Sequence, residues 1–307
     1  MLVYLSEYID PEAEALLRGH AEVVDTFERI AEIDAIILRN IPVTAEMMDR
    51  AVNLKVIGKH GVGVNTIDVE AAHARGIRVV YTPTANADSV AEMTVALFLA
   101  LERGIVEANL NCRRGAYDRI GPTSLIGTEI GGKTLGQIGM GNIAQRVAAI
   151  MKNGFRCRVL GYDPFVSAEE AAARGFEKVD SLEEMLEQSD LVNINVPLIP
   201  GTERMISGAV FDHFKPSAVF VNAARGAVID ETDLYNALVS GKLRAAACDT
   251  FVIEPPGPGN PLLSLENFSA TPHIGGNTEE SLRRTGREVV EQTLAVLEGK
   301  EPLHAVV

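Results

Sequence analysis

The stretch Lys133-Thr134-Leu135-Gly136-Gln137-Ile138-Gly139-Met140-Gly141-Asn142-Ile143-Ala144 decides the reading of this chain. A short β-like run breaks into Gly139-x-Gly141-x-x-Ala144 and then into a helical pattern. Gly139 permits a tight turn, Gly141 removes the side chain that would block a pyrophosphate, and Ala144 lets the helix pack closely on the strand. The pyrophosphate would then meet the N–H groups at the helix N-terminus. A second strand, Cys157-Arg-Val-Leu-Gly-Tyr162, follows and ends in Asp163, 22 positions beyond Gly141. An acid there can hold the ribose 2′-OH and repels a 2′-phosphate, which favours NAD over NADP.

A second glycine pair, in Leu54-Lys-Val-Ile-Gly-Lys59-His60-Gly61-Val62-Gly63-Val-Asn-Thr66, also follows a strand. The next strand, Ile77-Arg-Val-Val-Tyr81, ends in Thr82-Pro83 with no acid, so this loop is read as something other than a cofactor turn.

The chain has 307 residues, 47% hydrophobic and 23% charged, enough for two cores of ordinary size. Its net charge of −14 and pI near 4.9 argue against nucleic acid or an anionic membrane as partner. The longest apolar run, Met93 to Leu101, contains Thr94 and is flanked by Glu92 and Glu102, too short for a membrane span. The N-terminus opens into strand-like Leu2-Val-Tyr-Leu5 with no basic leader, so a cytoplasmic protein is expected. Cys112, Cys157 and Cys248 support neither a disulfide framework nor a zinc pattern and are read as buried hydrophobes.

Alternating strand-like and helical runs predict an α/β fold with two parallel sheets. One sheet would use Val3–Leu5, Ala35–Leu38, Lys55–Ile57 and Arg78–Val80. The other would use six strands: Thr134–Ile138, Arg158–Tyr162, Leu191–Asn195, Ala218–Asn222, Ala245–Cys248 and Asn267–Ala270. Asp88 or Ser89 is expected to cap a helix that is apolar on nearly all sides from Val90 to Leu101. With the second sheet full, the helix from Thr278 to about Glu298 should return to the first domain. The expected division is a discontinuous substrate domain, 1–95 plus 282–307, around a cofactor domain at 96–281. Residues 113–132 read as a loop or arm.

Ligands of open parallel sheets bind at the carboxyl ends of strands. Three strands of the second set end there in ionisable groups: Asn222-Ala-Ala-Arg225-Gly226, Asp249-Thr-Phe-Val-Ile-Glu254-Pro-Pro256, and Thr271-Pro-His273-Ile-Gly275-Gly276. A single histidine after a strand is more often a hydrogen-bonded turn residue than a catalyst. A guanidinium, a carboxylate and an imidazole at one rim are what hydride transfer to or from a 2-hydroxy acid requires: a cation for the carboxylate, an acid/base for the hydroxyl proton, and an acid to orient it. His20, His73, His213 and His304 lack such partners. No His-Glu-x-x-His, Cys-x-x-Cys or Gly-x-Ser-x-Gly occurs, so metal-assisted hydrolysis and serine acyl transfer gain no support.

Through these motifs, with Ser89-Val-Ala-Glu92 and Val196-Pro197-Leu198 followed by Thr202, the chain resembles the D-isomer-specific 2-hydroxyacid dehydrogenases over essentially its whole length. The resemblance implies a Rossmann-like cofactor domain inserted into a flavodoxin-like substrate domain, and a homodimer acting on a small anionic 2-hydroxy or 2-keto acid. Arg225 would bind the substrate carboxylate, His273 would be the acid/base, and Glu254 would support it. Lys59, His60, Gly61, Val62 and Gly63 would form the substrate loop. NAD would be held by Thr94, the turn Gly139, Met140, Gly141, Asn142 and Ile143, and by Asp163, Pro197, Thr202, Ala223, Arg225, Asp249, His273 and Gly275, with Asp249 contacting the nicotinamide carboxamide.

Gly127-Thr-Glu-Ile-x-Gly132-Lys-Thr-Leu-Gly136 and Gly161-Tyr-Asp-Pro164 are most similar to the D-3-phosphoglycerate dehydrogenases, and Lys59 stands where those enzymes often carry Arg. A lysine can meet a phosphate as a point charge, without the arginine fork. Hydroxypyruvate and glyoxylate reductases are the alternative within the family. A formate dehydrogenase is disfavoured by Glu254. An NAD-sensing co-repressor, a binding protein, is disfavoured by the complete Arg225, Glu254 and His273 set. No regulatory domain is expected after the returning helix.

Overall fold

Short runs of branched apolar residues, separated by capped amphipathic helices, give two parallel sheets in the computed structural model, which describes residues 1–307. The chain divides into one unit formed by Met1–Ser89 and Gly276–Val307 and another formed by Val90–Gly275. The first exchange point falls in the opening turn of a helix and the second between Gly275 and Gly276.

The first unit contains β1 (Leu2–Leu5), β2 (Glu22–Val24), β3 (Ala35–Leu38), β4 (Val56–Lys59) and β5 (Arg78–Val80), all parallel in the order β2-β1-β3-β4-β5. This is the flavodoxin-like strand order. Strands β1, β3 and β4 are buried along their whole length, as expected when helices cover both faces. The connecting helices are α1 (Pro11–Arg18), α2 (Ala45–Arg50) and α3 (Val69–Ala74), with Asp10, Thr44 and Asp68 each capping an N-terminus through a side-chain oxygen.

The second unit opens with α4 (Ala87–Arg103), most of which it owns, and α5 (Ile105–Arg113). Because α4 begins at Ala87, Asp88 and Ser89 lie inside its first turn and neither is the expected cap. Cys112, on α5, is exposed rather than buried, because α5 buries none of its residues; Cys157 and Cys248 are buried. The strands that follow are β6 (Thr134–Ile138), β7 (Arg158–Tyr162), β8 (Glu177–Lys178), β9 (Leu191–Ile194), β10 (Val219–Asn222), β11 (Ala245–Cys248) and β12 (Phe268–Ala270). They form one parallel sheet in the order β12-β11-β10-β9-β6-β7-β8. Strand order reverses between β6 and β9, the crevice where a doubly wound sheet takes its ligand. The helices are α6 (Asn142–Phe155), α7 (Ala168–Ala173), α8 (Leu182–Gln188) and α9 (Glu231–Ser240).

The sheet has seven strands instead of the expected six, and the first has five. Both additions are short edge strands that carry no hydrophobic run: Glu177-Lys178 is two polar residues, and Glu22-Val23-Val24 is only partly buried.

The last helix, α10 (Glu279–Leu297), packs on β4 and α1 in the first unit. Gly58 of β4 is glycine for that reason: an added Cβ would lie 2.5 Å from Thr293 Oγ1 and 3.0 Å from Val289 Cγ2. No helix is long and apolar enough to cross a membrane.

Candidate active site

The ends of β10, β11 and β12 are level, because Asn222 pairs with Cys248 and Cys248 with Ala270. The three ionisable loops therefore leave one rim of the second unit's sheet.

At the end of β10 the Asn222 side chain folds the turn that presents Arg225. Its Oδ1 accepts the Ala224 N–H at 3.0 Å and its Nδ2 donates to the Arg225 carbonyl at 2.9 Å. The next residue cannot carry a side chain, since a Cβ on Gly226 would lie 1.9 Å from the Phe251 carbonyl carbon. The Arg225 turn is thus seated on the loop that carries Glu254. Burial pushes the Arg225 guanidinium below its ordinary range, and the Glu254 charge opposes that shift.

Glu254 is held from two directions. Its Oε1 accepts the Phe251 N–H at 3.0 Å, and its Oε2 lies 2.7 Å from His273 Nδ1. Burial by itself would raise the Glu254 carboxyl. The His273 hydrogen bond and charge, the Phe251 N–H and the Arg225 charge together hold it below the usual carboxylate range. An ionised carboxylate only accepts, so Nδ1 carries a proton and Nε2 is the nitrogen left for a substrate proton. The loop is further pinned by Glu231, at the start of α9, which accepts from the Val252 N–H at 2.7 Å and from Asn260 Nδ2 at 2.9 Å.

His273 sits in the left-handed region, with φ +55°. For a non-glycine residue this costs on the order of 1–2 kcal/mol, so neighbouring contacts must impose it. Asp249 provides them. Its carboxylate is buried and accepts from Thr271 Oγ1 at 2.5 Å, the Ile274 N–H at 2.9 Å and the Gly275 N–H at 2.8 Å. A Cβ on Gly275 would fall 2.9 Å from Asp249 Oδ2.

On the other side of the switch point, Gly139 has φ +82°, and a Cβ there would meet the Asn195 carbonyl at 2.5 Å. Gly141 has nothing within 4 Å of its Cβ position, and it begins α6 without a side-chain cap. An open glycine before a helix N-terminus is a cradle that a pyrophosphate fits. Ala144 is fully buried against the sheet. Asp163, ending β7, accepts the Met140 N–H at 3.1 Å and the Phe165 N–H at 3.0 Å, so it stands against the glycine turn.

The other residues singled out from the sequence lie as follows. Pro197 and Thr202 share one turn after β9, with Thr202 Oγ1 bonded to the Pro197 carbonyl at 2.5 Å. Ala223 is buried beside Arg225. Thr94 is fully buried, and its hydroxyl donates to the Val90 carbonyl of its own helix at 2.9 Å.

In the first unit Gly61 has φ +133°, and its N–H donates to Thr82 Oγ1 at 3.0 Å, while Val62 is exposed beside it and Gly63 is half-buried. Lys59 differs from a solvated strand-end lysine: it is only 6% exposed, and its ammonium donates to the Arg39 carbonyl. His60 is buried with its Nε2 unpartnered. Burial, helped by the Arg39 and Lys59 charges, pulls its pKa down to about 4.

The sequence did not single out Asn222, Glu231 or Thr271 as supports of this site. The first and last stand inside the quoted motifs. Glu231 looks like any acid at a helix start, and nothing local shows that it reaches a loop about twenty residues on.

Residues 95–275 match the family model described as D-isomer specific 2-hydroxyacid dehydrogenase, NAD binding domain. D-3-phosphoglycerate dehydrogenase of Methanocaldococcus jannaschii is 44% identical over 277 residues, 90% of this chain and 52% of that protein. Hydroxypyruvate reductase of Thermotoga maritima is 39% identical over 302 residues, 94% of this chain and 96% of that one. The chain thus spans about half the length of the first of these relatives and nearly all of the second. Among solved structures, an NADPH-dependent glyoxylate/hydroxypyruvate reductase from Sinorhizobium meliloti, in complex with NADP and malonate, superposes with a TM-score of 0.90 at 26% identity, covering 100% of this chain and 96% of that one.

Proposed function

The chain belongs to the D-isomer-specific 2-hydroxyacid dehydrogenases, and from that premise we propose that it interconverts a D-2-hydroxy acid and its 2-keto acid with NAD. The observation that carries this reading is the His273–Glu254 pair at 2.7 Å on the rim that also presents Arg225.

When bound, the nicotinamide supplies or accepts the hydride at C2. Arg225 holds the substrate carboxylate and polarises the C2 carbonyl with its fixed charge. During reduction His273 gives its Nε2 proton to the carbonyl oxygen, and during oxidation it takes the hydroxyl proton back. Glu254 keeps the proton on Nδ1 and stabilises the imidazolium. The open Gly141 turn would hold the pyrophosphate and Asp163 the ribose hydroxyls. The repulsion of a 2′-phosphate by Asp163 supports NAD, and the NADP-bound neighbour makes that preference the point to measure.

We take 3-phosphoglycerate and its 2-keto form as the first substrate pair to test, supported by the similarity to the D-3-phosphoglycerate dehydrogenase of Methanocaldococcus jannaschii and by the 127–136 motif. A second reading, hydroxypyruvate or glyoxylate, is favoured by Lys59, whose ammonium is already engaged by a backbone carbonyl. Comparing kcat/KM for phosphohydroxypyruvate, hydroxypyruvate and glyoxylate in wild type and Lys59→Ala separates them. A loss confined to the phosphorylated acid supports the first, and parallel values across all three remove Lys59 from specificity. Turnover of none of a wider panel of 2-keto acids would revive the alternative of a nucleotide-sensing binding protein. Two copies are proposed to assemble through the cofactor domain and the 113–132 arm, with Ile105, Val106 and Leu110 exposed on α5 and Ile120 and Ile126 exposed in the arm. Light scattering would read a dimer mass.

A further inference from the structure

We infer that Thr271 is a positioning residue for the acid/base: through Asp249 it imposes the left-handed backbone at His273 that aims the imidazole at Glu254. The inference rests on the reading of His273 as the acid/base.

The geometry runs in one direction. Thr271 follows β12 and is anchored to the sheet by its own N–H, which donates to the Cys248 carbonyl at 3.0 Å. Its hydroxyl donates to Asp249 Oδ1 at 2.5 Å. The same carboxylate is cupped by the successive N–H groups of Ile274 and Gly275, an anion-binding nest whose formation requires His273 at φ +55°. The His273 N–H donates to the Asp249 carbonyl at 2.8 Å, so side chain and backbone of one residue grip the loop from both sides. Glu254 bonds only the imidazole tip. It can select a ring orientation but cannot impose the backbone turn.

Every donor to the Asp249 carboxylate comes from residues 271–275. Thr271 is the one side chain among them, and the only donor that can be removed without touching the backbone. Valine in its place keeps the shape and loses the hydroxyl. The Asp249 backbone stays tied to the sheet through its N–H to the Asn222 carbonyl, and the carboxylate keeps its two backbone donors but loses the one side-chain donor that fixes its orientation, so the loop gains freedom to leave the left-handed conformation.

The test compares wild type, Thr271→Val, Thr271→Ser and His273→Gln for kcat, NADH affinity by fluorescence, thermal midpoint and the pH profile of kcat/KM. Thr271→Val is expected to lower kcat about ten- to a hundredfold, the scale of a small misplacement of a catalytic group, with NADH affinity within about twofold. Its pH profile should move as the Glu254→Gln profile does, and Thr271→Ser should restore both. A Thr271→Val enzyme with wild-type kcat and pH profile would overturn the inference. So would serine failing to restore them, or losses confined to thermal midpoint and NADH affinity. Activity retained in His273→Gln would instead sink the acid/base assignment, whatever Thr271 does.

Discussion

His273 Nδ1 lies 2.7 Å from Glu254 Oε2, and the other oxygen of that carboxylate is occupied by the Phe251 N–H at 3.0 Å. The pair is therefore oriented as well as charged: Glu254 cannot rotate away from the imidazole without leaving a backbone donor unmet.

Replacing His273 by Gln should lower kcat by about two to four orders of magnitude, the range for loss of a general acid/base, with NADH binding nearly unchanged. In Glu254→Gln the anion beside the imidazolium is gone, so the protonated form is less favoured. The alkaline limb of kcat/KM for keto-acid reduction should shift to lower pH. An unchanged pH profile would remove Glu254 from the reaction.

Gly226→Ala should be severe. The added methyl would sit 1.9 Å from the Phe251 carbonyl carbon, and the atoms it meets are backbone, so no side chain can swing aside to admit it. The Arg225 and Glu254 loops must then separate. The expected result is a kcat/KM loss of at least about a hundredfold, since misplacement of this size is costly at a reacting centre. Near-native kinetics would show that the two loops are not coupled.

Much of this was legible in the residues. The strand–turn–helix order at Gly139, the acid after β7 and the three ionisable strand ends located the rim. The edge strands β2 and β8 were not legible, because two or three partly polar residues pair only when a neighbouring strand is already in place. The contacts that build the site are also long-range: Gly226 against Phe251, Glu231 against Val252, and Asp249 against Thr271. Sequence spacing shows the carboxylates but not which donors reach them. Lys59 shows the same limit, since a strand-end lysine gives no local sign that its ammonium turns back onto the Arg39 carbonyl.

The proposed preference for NAD rests on Asp163, whose oxygens accept the Met140 and Phe165 N–H groups beside the glycine turn. NADH should give a higher kcat/KM than NADPH, and Asp163→Ala should narrow the ratio by at least about tenfold. Equal efficiency with both cofactors in wild type would remove this assignment.

His60 makes stability depend on pH. Its folded pKa of about 4 lies below the ordinary 6.5, so the unfolded chain takes up the proton first as pH falls. The neutral buried ring contributes nothing adverse above about 6.5, and stability is lost as pH drops from there toward about 4. The loss is on the order of 3 kcal/mol. Urea unfolding of His60→Phe, which keeps a ring without the titrating nitrogen, should show a flatter decline over that window. An identical slope in both proteins would show that His60 does not titrate as its burial implies.

The proposed reaction is hydride exchange at C2 with D stereochemistry. The direct measurement uses NADH deuterated on both faces of C4, incubated with phosphohydroxypyruvate or hydroxypyruvate, whose reduction creates a stereocentre at C2, followed by chiral separation and mass analysis of the product. Wild type should form a D-2-hydroxy acid carrying one deuterium at C2, and His273→Gln should not. A product without deuterium, or of the L configuration, would contradict it.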